Sequence, residues 1–226
     1  IGWIPQIQLE ITRTDGSSAS PLSFNAEIKE GEIFVKDMFN LYKYENFLYT
    51  MSLSGKEIKD YLEYSYDLWV NTMKNENDHL LKFNRDENGE IVVTNDRTHL
   101  TNPYYNFSSA AGIIYTVDVT KSVGERVNIL SMHDGSPFEE NKIYTAAVNS
   151  YRGNGGGGHL TDGSKISKEQ LSSRIITSTE KDLRYYMMKW IENKKIVSPQ
   201  SVGTWKFIPQ DIVKKAVERD YKLLFP

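Results

Sequence analysis

Residues 47–53, F-L-Y-T-M-S-L, alternate and are rich in aromatic and apolar side chains, which predicts a strand. The next four, Ser54-Gly55-Lys56-Glu57, fit an S-x-x-E capping box, in which serine and glutamate each satisfy an orphan amide of a new helix. That helix is predicted to run to about residue 70, with Ile58, Tyr61, Leu62, Tyr66 and Trp69 on one stripe. A short helix over 36–42, with Met38, Leu41 and Tyr42 on one side, precedes the strand. Further strands are predicted at 113–119, 127–132 and 143–148. Turns are predicted at Asp86, Asn88 and Gly89, ahead of Ile91-Val92-Val93, and at 133–137, where Asp134-Gly135 is the most specific signal. The polar stretch 14–21 reads as a loop. Helices are predicted over 167–176 and 179–193, the second with Leu183, Tyr186, Met187, Trp190 and Ile191 as its buried stripe. Pro209 is placed to open a last helix through residue 219. Strands and helices are segregated more than alternated, so the expectation is an α+β fold on a mostly antiparallel or mixed sheet.

The chain has 226 residues, which corresponds to one or two domains, and neither a repeat nor a linker divides it. Apolar residues make up 39% and charged residues 25%, an ordinary globular mixture. There is no cysteine, which excludes disulfides, thiolate metal sites and a cysteine nucleophile. A net charge of −3 argues against binding a nucleic-acid polymer, and no segment approaches the ~20 apolar residues of a membrane span. The chain begins at Ile1 with no charged-then-apolar leader, so it is expected to start inside a longer gene product. The 14 Tyr, 9 Phe and 4 Trp raise the aromatic share to 12%, which suits ordinary packing and also the stacking of flat ligands.

Metal and nucleophile signatures are weak. The histidines, His79, His99, His133 and His159, have no ligand-like spacing, and each reads as a loop or surface residue. There is no G-x-S-x-G elbow, and Ser136 falls in a turn. The run Asn154-Gly155-Gly156-Gly157-Gly158 lacks the Lys-Ser/Thr of a phosphate-binding P-loop. A buried strand feeds straight into it, which points to a ligand-facing loop at a strand end.

Three motifs stand in order: D-V-T-K-S-V-G-E-R-V at 118–127, D-G-S-P at 134–137 and Y-T-A-A-V-N-S-Y-R-G-N-G-G-G-G at 144–158. With G-E-I-F-V-K-D-M-F-N-L-Y-K-Y-E-N-F-L-Y-T-M-S-L-S-G at 31–55, the set resembles the C-terminal domain of the 5′-nucleotidase and 2′,3′-cyclic-nucleotide 2′-phosphodiesterase family. The likeness covers most of 7–208, and because it runs unbroken through both halves it implies a single α+β domain over 1–226, built on a large, bent, mixed sheet with several helices. It implies a domain that holds the nucleoside while a separate metallophosphoesterase domain, with two divalent metal ions, breaks the phosphate ester. Carried over by position, it implies that Tyr44 and Tyr151 sandwich the base and that Asn46 bonds its edge. Asn154, Gly155 and Gly156 are also expected to bind the substrate, the glycines after Asn154 forming the floor of that slot. Family members selective for 5′-monophosphates often carry Asp where this chain has Gly157, and an Arg near the stretch 23–28, which has none here. The tyrosine pair and these two differences are closer to the cyclic-phosphodiesterase branch.

The resemblance thus implies a nucleotide-recognition domain working in nucleotide breakdown with a dimetal phosphoesterase domain or subunit. No catalytic residue, metal site or cofactor is expected in this chain, and the chain alone is expected to hydrolyse no nucleotide. The family implies export, to a periplasmic or surface-anchored position. The alternative is a stand-alone exported module that binds a nucleoside or sugar without catalysis.

Overall fold

A computed structural model describes residues 3–21, 28–95, 97–198 and 203–226. In chain order the main elements are α1 (Trp3–Thr12), β1 (Gly16–Ala19), α2 (Val35–Leu41), β2 (Phe47–Ser54) and α3 (Gly55–Trp69). There follow β3 (Val93–Thr94), β4 (Arg97–Thr98), β5 (Ser109–Ala111), β6 (Ile113–Asp118), β7 (Val127–Met132) and β8 (Ile143–Asn149). The chain closes with α4 (Ser150–Gly153), α5 (Lys168–Arg174), β9 (Ile175–Asp182), α6 (Leu183–Lys194), β10 (Trp205–Ile208) and α7 (Gln210–Leu224).

The fold is α+β on mixed sheets. A five-stranded sheet has the order β5-β1-β8-β2-β9, a three-stranded sheet the order β10-β6-β7, and β3 and β4 form a ribbon. Pairing is antiparallel except for β1 with β8 and β10 with β6. The chain bends from the first sheet into the second at Gly112, the one residue between β5 and β6. Its φ is +89°, and a Cβ there would lie 2.2 Å from the Asp15 carbonyl oxygen, so only glycine fits.

The predicted capping box forms. Ser54 Oγ accepts from Glu57 N at 3.2 Å, and Glu57 Oε2 accepts from Ser54 N at 2.7 Å. Behind this cap, α3 buries Tyr61, Leu62, Tyr66 and Trp69 in the larger core, with Ile58 partly buried. Tyr66 is fully buried, shares a 2.9 Å hydrogen bond with the Tyr115 hydroxyl, and packs edge-on to Phe107, Trp205 and Phe207. Val213 and Ala216 of α7 join the same core. A second core lies under α1, α2 and α6 and includes Ile7, Met38, Tyr42, Leu48, Leu183 and Met187. Substituting Ser54→Ala is expected to cost about 1 kcal/mol, seen as a fall of roughly 2–4 °C in Tm by calorimetry.

Two expectations need correction. Residues 16–19 are not a loop but an interior strand, paired on both sides by β5 and β8. Its serines find partners inside: Ser17 Oγ donates to Gln8 Oε1 at 2.6 Å and Ser18 Oγ to the Tyr61 hydroxyl at 3.1 Å. The predicted helices over 167–176 and 179–193 lose their junction to β9. The β-branched Ile175, Ile176, Thr177 and Thr179 lie in this edge strand against β2. The second helix then starts at Leu183, capped by Asp182, whose Oδ1 accepts from Tyr185 N at 3.0 Å.

Candidate functional site

Antiparallel pairing of β2 with β8 sets Leu48 opposite Asn149. The segment entering β2 and the helix leaving β8 therefore share one end of the five-stranded sheet. Phe47 N closes the junction by donating to Ser150 Oγ at 3.1 Å. Tyr44 stands in the first segment and Tyr151 in the second, with 37% and 43% of their surface exposed. Beneath them, Tyr42 is 2% exposed, and its hydroxyl accepts from Asn46 Nδ2 at 3.2 Å and from Asn149 Nδ2 at 3.3 Å. Burial raises the pKa of that hydroxyl above its ordinary value, and the two amides partly offset the rise. Asn46 is also fixed through its carbonyl, which accepts from Leu183 N at 2.8 Å. Its side chain is thus turned toward Tyr42.

The glycine run is a tightly folded turn. Asn154 is exposed and ends α4, its N–H donating to the Ser150 carbonyl at 2.9 Å. Gly155 has φ +90°, and its Cβ direction faces Leu171, so glycine is explained there by backbone geometry and inward packing. Gly156 lies against Tyr151: a Cβ would fall 2.5 Å from ring atom Cε2. At Gly157, φ +72°, a Cβ would meet Arg152 Nη1 at 2.1 Å and Asn106 Oδ1 at 2.7 Å. Tyr44 and Tyr151 each have their own near neighbour. The Lys43 ammonium lies 5.1 Å from the centre of the Tyr44 ring, and the Arg152 guanidinium 5.3 Å from that of Tyr151. The stretch 23–28 lies outside the described residues except for Ile28.

His159 corrects the expectation of a loop or surface histidine. It is fully buried, with Nδ1 donating to the Gly157 carbonyl at 3.0 Å. Its ring sits 4.8 Å from that of Tyr61 and 5.3 Å from that of Tyr64, so α3 anchors the end of the glycine turn. Burial, with repulsion from Arg152, pushes its pKa down to about 3. His79 is partly buried and pairs with Asp220 at 2.5 Å, while His99 and His133 are exposed. Among the described residues no three His, Cys, Asp or Glu side chains gather as a metal site.

Two contributors escaped the sequence reading. Arg152 was visible only as one letter of the Y-R-G motif, yet it is buried at the centre of the turn. The short 3₁₀ turn Tyr104–Asn106 meets both sides of the site, taking Lys43 Nζ on the Tyr104 hydroxyl at 3.3 Å and Arg152 Nη2 on the Tyr105 carbonyl at 2.6 Å. The available signal was an arginine set between a buried strand and a glycine run, where a solvated charge is out of place.

The profile of the 5′-nucleotidase C-terminal domain matches residues 2–162. The chain belongs to that family. It is 27% identical over 203 residues to the trifunctional nucleotide phosphoesterase protein YfkN of Bacillus subtilis, covering 83% of this chain and 12% of that one. It is 25% identical over 217 residues to the 2′,3′-cyclic-nucleotide 2′-phosphodiesterase/3′-nucleotidase of Salmonella typhimurium, covering 87% of this chain and 29% of that one. The chain thus spans less than a third of each of these relatives. In fold it matches a putative 5′-nucleotidase from Staphylococcus aureus, with a TM-score of 0.67 and 18% identity, over 91% of this chain and 36% of the other. A 5′-nucleotidase precursor from Thermus thermophilus matches with a TM-score of 0.66 and 21% identity, over 92% and 35%. Among the described residues no helix is long and apolar enough to cross a membrane.

Proposed function

We propose that this chain is the nucleoside-recognition domain of a nucleotide-cleaving phosphoesterase, with the base held between Tyr44 and Tyr151 and its edge met near Asn46. The observation that carries this reading is the pairing of β2 with β8, which delivers two half-exposed tyrosines to one end of a sheet beside a glycine turn. Tyrosine rings accept the faces of different bases, so the slot is tolerant of base identity. The partner is a dimetal phosphoesterase domain or subunit, in keeping with the nucleotide-cleaving names of the relatives and the small part of them that this chain spans. Bound there, two divalent ions would polarise the phosphoryl oxygens and supply a hydroxide nucleophile. The part proposed for this chain is to bind and orient the nucleoside.

The whole chain is read as one recognition domain, because α7 packs into the same core as α3. Export to a periplasmic or surface-anchored position fits a fold relative named as a precursor. Titrating adenosine and 2′,3′-cyclic AMP into the chain tests the binding role. Tyr44→Ala and Tyr151→Ala are each expected to weaken binding by roughly 5- to 150-fold, the equivalent of about 1–3 kcal/mol for one lost base–ring stack. Equal affinity in wild type and both variants overturns the reading.

A further inference from the structure

Arg152 is 2% exposed, and among the described residues neutral oxygens alone hold its guanidinium. Nη1 donates to the Gly156 carbonyl at 3.0 Å and to Asn106 Oδ1 at 3.4 Å. Nη2 donates to the Tyr105 carbonyl at 2.6 Å and to Ser20 Oγ at 3.1 Å. Among the described residues Nε, also buried, has no hydrogen-bond partner. Burying a cation without a carboxylate is unfavourable, so ion-pair stability does not explain this residue.

Its geometry does. The planar fork ties Ser20, the Tyr104–Asn106 turn and the glycine run to the residue next to Tyr151, and it does so with directions that a flexible ammonium does not impose. Gly156, whose carbonyl the fork holds, lies against the Tyr151 ring, and the guanidinium itself sits 5.3 Å from the centre of that ring. The same 3₁₀ turn takes Lys43 on the Tyr104 hydroxyl, and the Lys43 ammonium lies by the Tyr44 ring, so one brace reaches both tyrosine-bearing segments.

We propose that Arg152 is a positioning residue for ligand binding: it clamps the glycine turn and the Tyr104–Asn106 turn together and so fixes the ring of Tyr151 for stacking on a nucleobase. This rests on the base-binding reading of Tyr151. Its prediction is coupling: loss of the fork matters only while the ring it positions is present.

The test is a double-mutant cycle in the full chain with adenosine as probe, measured by calorimetric titration, with the thermal midpoint of each variant recorded. Arg152→Lys keeps the charge and cannot span the four oxygens. It is expected to weaken adenosine binding about tenfold with Tyr151 present and by less than about twofold in the Tyr151→Ala background. An affinity unchanged by Arg152→Lys, or lowered equally on both backgrounds, overturns the proposal, because a merely structural role shifts the thermal midpoint without coupling to Tyr151. If Arg152→Lys does not fold, Asn106→Ala carries the same cycle. It removes one acceptor and leaves the cation, and the expected loss is about threefold, again confined to chains that keep Tyr151. Tyr151→Ala binding as tightly as wild type overturns the base-stacking reading together with this role. Weakening by Tyr151→Ala without coupling overturns the role alone.

Discussion

Lowering the pH from 7 to 4.5 is expected to destabilise the wild-type chain by about 2–3 kcal/mol more than it destabilises His159→Gln. The His159 imidazole is held neutral in the fold, its pKa pushed from 6.5 down to about 3 by burial and by the nearby Arg152 cation. In the unfolded chain the ring takes up a proton near its ordinary value. Between these two values the unfolded state binds more protons, so stability falls as the pH falls. The contribution is fully present above pH 6.5 and disappears as pH drops toward 3, at about 1.4 kcal/mol per pH unit and about 5 kcal/mol in all. Against a total of roughly 5–15 kcal/mol for a typical domain, this is a large share. Glu63 works in the opposite direction, because burial raises its pKa and the fold therefore favours its proton as the pH falls. Glu63 and the exposed histidines are common to both proteins, so the difference between them isolates His159. Denaturant unfolding at pH 7, 5.5 and 4.5 measures it, and parallel curves for the two proteins would refute the claim. The protonated ring would sit beside Arg152 and under Gly157, so the same acid range is expected to loosen the glycine turn.

What the sequence disclosed follows the range of the forces involved. The capped helix α3 was legible because Ser54, Glu57 and the stripe from Ile58 to Trp69 act within a few residues of one another. Strand β1 was not, because G-S-S-A is a loop by composition and becomes a strand only when Gln8 and Tyr61 satisfy its serines. The strand β9 was hidden in an amphipathic run whose helical period was real but began only at Leu183. Tyr44 and Tyr151 were paired by family resemblance alone, and β2–β8 pairing is the physical reason that their segments adjoin. Arg152 escaped because its side-chain acceptors Asn106 and Ser20 lie 46 and 132 positions away, beyond any local pattern. His159 looked like a loop residue because its neighbours in sequence are glycine and leucine, whereas its neighbours in space are the rings of Tyr61 and Tyr64.

Arg126→Met is expected to destabilise the chain by about 3–5 kcal/mol while leaving adenosine affinity of the folded protein unchanged. Arg126 stands in the D-V-T-K-S-V-G-E-R-V motif, one of those that signal the family, yet it lies in the loop between β6 and β7, and its hydrogen bonds go to Val70, Thr72 and Lys121 rather than to the tyrosine-bearing segments. It is 1% exposed and ties the stretch leaving α3 to its own loop: Nη1 donates to the Val70 carbonyl at 2.7 Å, Nη2 to Thr72 Oγ1 at 2.6 Å and Nε to the Lys121 carbonyl at 3.1 Å. Beside it the buried Glu63 accepts from Gly124 N at 3.1 Å and Val127 N at 2.6 Å, fixing the other end of the same loop. Burial pulls the pKa of the guanidinium down, attraction to Asp67 and Glu63 offsets part of this, and the group stays charged because its ordinary value is so high. Methionine fills the space with an apolar stem of similar length. It leaves the Val70 carbonyl buried without its donor, a penalty of roughly 1–3 kcal/mol, and takes from Glu63 the positive charge beside it. For a chain of this length the sum corresponds to a fall of roughly 10 °C in Tm. Arg126→Lys should recover only part of it, since one ammonium cannot reproduce three bonds made in a fixed plane. Calorimetry and an adenosine titration on the same preparations separate the two claims. A weakened affinity at full occupancy of the fold would assign the motif to the site, and an unchanged Tm would show that the three bonds are not what holds the loop.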